Sequence, residues 1–117
     1  MAATKFSKHE TRTRGEMESI GIAQGRMKIN RNARKVFKAI RGSQDCYLCG
    51  YNKHTQICHI KAISTFPLEA SVREINHIGN LVALCPNHHW ELDHGHIEME
   101  YPLYYEEDPY DPDRDQE

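Results

Sequence analysis

Hydrophobic periodicity divides the chain unevenly. Residues 1–29 are polar, contain several glycines and sustain no apolar period, so they read as a flexible arm. A helix is expected from Asn30 or Asn32, either of which suits a cap. In it Val36, Phe37 and Ile40 share one face, while Arg34, Lys35, Lys38 and Arg41 crowd the others. Gly42 closes it. Residues 55–60 alternate as a strand ending at His59, and 67–75 read as a loop with a short helical turn. Residues 80–84 form an apolar strand bounded by Gly79. Pro86 suits the first position of a second helix, which runs to about His94 and stops at Gly95, with Trp90 expected in the core. Residues 96–100 alternate like a short closing strand. The pattern is α+β, with a basic arm over 1–29, one domain over 30–103 and a tail over 104–117.

Composition sharpens this in two ways. In 117 residues the hydrophobic share is 38%, and mean hydropathy is −0.77, so burial alone would hold the domain weakly and a metal staple would help. No apolar run approaches the ~18 residues of a membrane span, and the first residues carry no signal-peptide pattern. The expected setting is intracellular (cytoplasmic, bacterial or phage-encoded), without membrane partners. Reducing conditions there make the four cysteines ligands rather than disulfides.

Charge is split along the chain. Residues 1–41 carry eleven Lys/Arg against three Asp/Glu, a net of +8, and residues 42–117 carry four against fourteen, a net of −10. Seven of those acids lie in residues 104–117, beside one Arg and two Pro, a composition expected to be disordered. Such asymmetry points to a polyanionic partner and an acidic tail.

The chemistry gathers between Cys46 and Ile97. Cys46-x-x-Cys49 and Cys85-x-x-His88 are two ligand pairs that can close a tetrahedron around Zn²⁺, with Gly50 permitting the thiol turn. The 35 residues between the pairs, 50–84, exceed a simple finger, so the zinc would pin a larger excursion. That excursion holds His59 at a strand end and Asn80 at a strand start, and beyond it come His89 and Asp93, four apart on one helical face. An imidazole and a carboxylate so placed can hold a divalent cation and leave positions open for phosphate oxygen. His59 titrates near neutrality when unperturbed, which suits a proton acceptor. His88 and His89 are adjacent and could exchange roles, although the spacing to Cys85 favours His88 for zinc.

Taken together, Cys46-x-x-Cys49-Gly50, Cys58-His59-Ile60, Asn80-Leu81-Val82-x-Leu84-Cys85-Pro86-Asn87-His88-His89 and Asp93-x-Gly95-x-Ile97 resemble the zinc-stabilised HNH endonuclease family. The resemblance implies a ββα-metal (His-Me finger) core stapled by a structural zinc. It implies that His59 is the general base, that Asn80 orients the hairpin loop, and that His89 ligates a catalytic divalent metal (Mg²⁺, Mn²⁺ or another transition metal), joined by Asp93. The residue before the base is often Asp or His in the family and helps hold the metal. Here it is Cys58, weighed as a further ligand. Lys61 and Ala62 follow Ile60 where the family often has Pro.

The expected function is therefore metal-dependent DNA hydrolysis. Arg34, Lys35, Lys38, Arg41 and Lys61 are candidates for DNA contact, and a homodimer would provide cleavage of both strands. The alternative is a zinc-stapled module that grips nucleic acid without cutting. Such a binder has no need of His59, Asn80 and His89 together, which favours the enzyme.

Overall fold

The structure, a computed structural model, describes residues 12–103. Residues 1–11 of the expected arm and the whole tail, 104–117, lie outside them. Helix α1 (Arg14–Glu18) opens with a capping box, in which Thr13 accepts from the Glu16 backbone N–H and Glu16 reaches back to the Thr13 N–H. Helix α2 (Ile22–Ile40) follows after a short turn. The structure continues with strand β1 (Gln56–His59), a 3₁₀ turn at Ile63–Thr65, helix α3 (Val72–Ile75), a second 3₁₀ turn at Ile78–Asn80, strand β2 (Leu81–Leu84) and helix α4 (Pro86–Asp93). Among the described residues no helix is long and apolar enough to cross a membrane.

Two expectations fail at the ends. The arm is helical from Arg14, and α2 begins eight residues before Asn30, so residues 12–29 belong to the folded body. The apolar period was faint because the buried face of α2 carries Gly25 and Asn32 beside Ile29, Ala33, Val36 and Phe37. Residues 96–100 form no strand. Instead the chain turns back, and Met99 and Leu103 pack on the core while the Leu103 N–H donates to the Gly79 carbonyl at 2.7 Å.

Strand β2 is the middle layer of the molecule. It pairs antiparallel with β1 in the register Gln56↔Leu84, Ile57↔Ala83, Cys58↔Val82 and His59↔Leu81, and all four of its residues are buried. Side chains alternate across a strand. Leu81 and Ala83 accordingly pack on Ala33, Val36 and Phe37 of α2, whereas Val82 and Leu84 pack with Cys46, Cys58 and Cys85. A third cluster joins Met17 and Ile29 to Phe66, Val72 and Ile75, sealing α1 and α2 against the loop before α3.

The α1–α2 crossing is close. A Cβ on Gly25 would lie 2.3 Å from the Met17 carbonyl oxygen and 2.7 Å from the Glu18 Cα, both backbone atoms that cannot swing aside. Alanine at an exposed helix position favours the helix by about 1 kcal/mol over glycine. Here overpacking at about 1–3 kcal/mol should outweigh that gain. Gly25→Ala is therefore expected to lower the thermal midpoint in a melting experiment, and an unchanged or higher midpoint would show that the helices do not cross this closely.

Candidate metal centre and catalytic cleft

The thiol knuckle follows from local backbone geometry. Gly50 takes a φ of 79°, which lets its N–H reach the Cys46 carbonyl at 2.8 Å, and the Cys46 N–H returns to the Tyr51 carbonyl at 2.9 Å. The Tyr47 N–H donates to the Ala83 carbonyl at 2.8 Å, tying the knuckle to β2. Just beyond this end of β2, Cys85 caps α4 and Pro86 occupies its first turn.

Cys46, Cys49, Cys85 and His88 thereby converge, with their ligand atoms all within 4.8 Å of one another. The cluster can hold a metal ion such as zinc, and its dimensions allow a test of fit. Zinc bonds of ~2.3 Å to sulfur and ~2.0–2.1 Å to nitrogen give tetrahedral edges of about 3.8 Å for S···S and about 3.6 Å for S···N. The observed Cys49 Sγ–Cys85 Sγ separation is 3.9 Å, and His88 Nδ1 lies 3.5 Å from Cys46 Sγ and 3.3 Å from Cys85 Sγ.

The electrostatics agree. Burial opposes ionisation of Cys46, but backbone N–H groups of Cys85, Cys49 and Leu48 and the His88 ring bring its thiol down to about 6. At Cys49 the Tyr51 backbone N–H favours the thiolate, yet the Cys46 and Cys85 sulfurs and desolvation outweigh it and push the thiol up. Thiols this close ionise together only with a cation between them. His88, not His89, joins the three cysteines.

A separate cavity of about 530 Å³ opens on the other side of α4 and β1. His59, His89, Asp93 and Cys58 line it, opposite Arg26, Asn30 and Arg34 of α2. His89 Nε2 lies 3.1 Å from Asp93 Oδ2, and His89 Nδ1 is hydrogen-bonded to Gln56 Oε1. Neighbouring donors of an octahedral ion bonded at ~2.1 Å lie about 3.0 Å apart, so this pair fits one edge of a divalent site. Other positions would fall to phosphate and water.

His59 is held by a chain of amides. Asn76, 2% exposed, donates from Nδ2 to the Ile29 carbonyl and to Asn32 Oδ1, both at 2.9 Å. The carbonyl partner fixes the amide's orientation, leaving Asn76 Oδ1 to accept from His59 Nε2 at 2.6 Å. The neutral ring therefore carries its proton on Nε2 and keeps a lone pair on Nδ1. Burial lowers the His59 pKa, an effect that the Asn76 contact partly offsets. Sequence reasoning missed Asn76 and Asn32 because buried asparagines leave no periodic signal.

Asn80, fully buried, clamps the loop that leaves β1. Its Oδ1 accepts from the Lys61 N–H at 2.7 Å, while Nδ2 donates to the carbonyls of Lys61 at 3.1 Å and Ile75 at 2.9 Å. Cys58 lies in the apolar cluster beneath the knuckle, with its thiol pushed up to about 12 by burial and by the nearby charges of Asp93 and Cys46. That environment keeps the proton on sulfur and favours a core role over ligation. Of the basic candidates, Arg34 borders the cavity, Lys35 and Lys38 are exposed on the outer side of α2, Arg41 is half-buried at its end, and the Lys61 ammonium sits 4.6 Å from the Phe66 ring centroid. Trp90, expected in the core, is 53% exposed and stacks on His94 with centroids 4.0 Å apart.

The family model described as HNH endonuclease matches residues 46–99, a little under half of the chain. No curated protein and no solved structure matches it. The motif resemblance thus holds over the segment that carries both the cysteine cluster and His59, Asn80, His89 and Asp93. It points to a nuclease, with nucleic acid as the substrate class. Helices α1 and α2 lie outside the matched segment.

The metal cluster yields a direct expectation. Metal binding at such a site is folding free energy. Elemental analysis of the purified protein should find one tightly held zinc, and Cys46→Ser or Cys85→Ser should abolish the cooperative melting transition. A Cys46→Ser protein that stays folded without metal would contradict a structural role for the cluster.

Proposed function

We propose that the protein is a metal-dependent DNA endonuclease in which His59 is the general base. The observation that carries this reading is the His59 ring itself. Its Nε2 is committed to Asn76, which leaves Nδ1 without a hydrogen bond among the described residues, and the ring lines the cavity that His89 and Asp93 also line. A module that only gripped nucleic acid would gain nothing from fixing that tautomer with a buried amide chain.

Nδ1 of His59 takes a proton from the attacking water, and the new oxygen–phosphorus bond forms as the bond to the 3′ oxygen breaks. The departing 3′ oxygen takes a proton from solvent water, and the proton on His59, held as imidazolium, passes back to solvent. A divalent cation held by His89 and Asp93 would polarise the phosphoryl oxygens and stabilise the charge on the departing 3′ oxygen. Asn76 keeps the ring in its base-competent tautomer, and Asn80 holds the loop immediately after it. A zinc held by Cys46, Cys49, Cys85 and His88 would pin α4, and with it His89 and Asp93, against the sheet. Arg34, Lys35, Lys38, Arg41 and Lys61 would attract the phosphate backbone from outside the reacting atoms.

Supercoiled plasmid incubated with the protein and Mg²⁺ or Mn²⁺ tests the reading. Nicked or linear product should appear, and His59→Ala should slow its formation by ~10²–10⁴-fold, the usual contribution of a general base, with zinc content unchanged and the protein still folded, its melting midpoint lowered by the lost Asn76 contact. His89→Ala should raise the concentration of divalent metal needed for cleavage. Because the depressed His59 pKa favours the neutral base, activity should persist below the ordinary imidazole range and fall only as acid protonates Nδ1. Equal cleavage by His59→Ala and the parent would remove His59 from the mechanism. DNA binding without any cleavage under all metals would favour the non-catalytic module instead.

A further inference from the structure

The wall of the cavity facing His59 and His89 comes from α2, a helix outside the segment that matches the endonuclease family. Three of its residues line the cavity: Arg26, Asn30 and Arg34. They are spaced by four, so they form one ridge along the helix. Arg26 is held in place, its Nε donating at 3.1 Å to Glu18 Oε2, and Glu18 is in turn gripped by Arg14 Nε at 2.9 Å. A side chain fixed through Nε retains its two terminal NH₂ groups, the fork that pairs with phosphate. Arg34 is exposed and takes part in no ion pair among the described residues.

We propose that the Arg26–Asn30–Arg34 ridge is a binding site for consecutive phosphates of one nucleic-acid strand, seating that strand between α2 and the residues of the proposed reaction. Arg26 and Arg34 contact the phosphates on either side of the scissile one, and Asn30 lies between them. The dimensions are compatible. Eight residues of helix rise ~12 Å, and a strand advances ~3.4 Å along the duplex axis per phosphate, so the ridge spans about three to four phosphate steps and can reach a phosphate on each side of the scissile one. The preset Arg26 also loses little side-chain freedom on binding, because Glu18 has already ordered it. This site rests on the nuclease reading for its scissile phosphate but not for its affinity.

The experiment separates the two. Binding of a fluorescently labelled DNA duplex is measured by anisotropy in Ca²⁺ or EDTA, over a series of salt concentrations, with the full chain. Arg34→Gln and Arg26→Gln should each weaken binding roughly tenfold at low salt, as expected for a lost charge-assisted contact. Each should also lower the slope of log affinity against log salt by about 0.9. Arg31→Gln removes the same charge from the exposed side of the same helix and should leave the slope nearly unchanged. Arg26→Gln also breaks an ion pair, so its melting point is recorded alongside. Arg34→Gln breaks none and decides the matter if Arg26→Gln is unstable. Arg34→Gln and a folded Arg26→Gln that bind with the parent's affinity and slope would overturn the ridge, even if the protein cuts DNA. Loss of affinity and slope in a protein that never cuts would uphold the ridge while removing the nuclease reading.

Discussion

Three cysteine sulfurs and one imidazole meet within 4.8 Å of one another, a crowding of donor atoms that could hold a metal ion. Neutral thiols gain little from such crowding, and thiolates repel. Only a cation turns the meeting point into a source of stability. The rest of the structure depends on that closure. It brings Cys46 and Cys49, ahead of the sheet, to Cys85 and His88 at its exit, and so fixes where α4 starts relative to β2. Because α4 begins at the cluster, His89 faces away from the zinc ligands toward the cavity one residue later, and Asp93 follows on the same side. One short helix thus presents adjacent histidines in two directions, His88 to the cysteine cluster and His89 to the cavity.

A second constraint reaches the cavity from the opposite direction. Helix α2 packs on β2 through Ala33, Val36 and Phe37, and on its neighbouring face it receives Asn76 at the Ile29 carbonyl and Asn32. A buried amide without partners costs about 1–3 kcal/mol, so this network is satisfied as a unit or not at all. His59 is its last member and the one nearest solvent. Stability of the α2 packing and orientation of the proposed base are therefore the same interaction seen from two ends.

Much of this was legible in the residues. The ligand spacing, the two strands, Pro86 at the start of α4 and Gly95 past its end each leave a local signature that survives without knowledge of tertiary contacts. Helix α2 was misjudged because its inner face holds Gly25 and Asn32, chosen for a close backbone crossing and a hydrogen bond rather than for hydrophobicity. Residues 96–100 alternate but find no partner strand, since β1 and β2 pair with each other and the chain instead returns to Gly79. Trp90 was expected inside, yet its helix buries none of its residues fully and leaves the ring to stack on His94. Asn76 and Arg26 became visible only when distant segments were brought together.

The division of labour between two metal positions is best tested by anomalous diffraction from crystals soaked in manganese. Data collected at the zinc and manganese absorption edges should show zinc among Cys46, Cys49, Cys85 and His88. Manganese should appear at His89 Nε2 and Asp93, within the cavity that His59 lines. Zinc absent from the cysteine cluster, or manganese that never occupies the His89–Asp93 pair, would contradict the central claim that α4 carries a structural site and a catalytic site side by side.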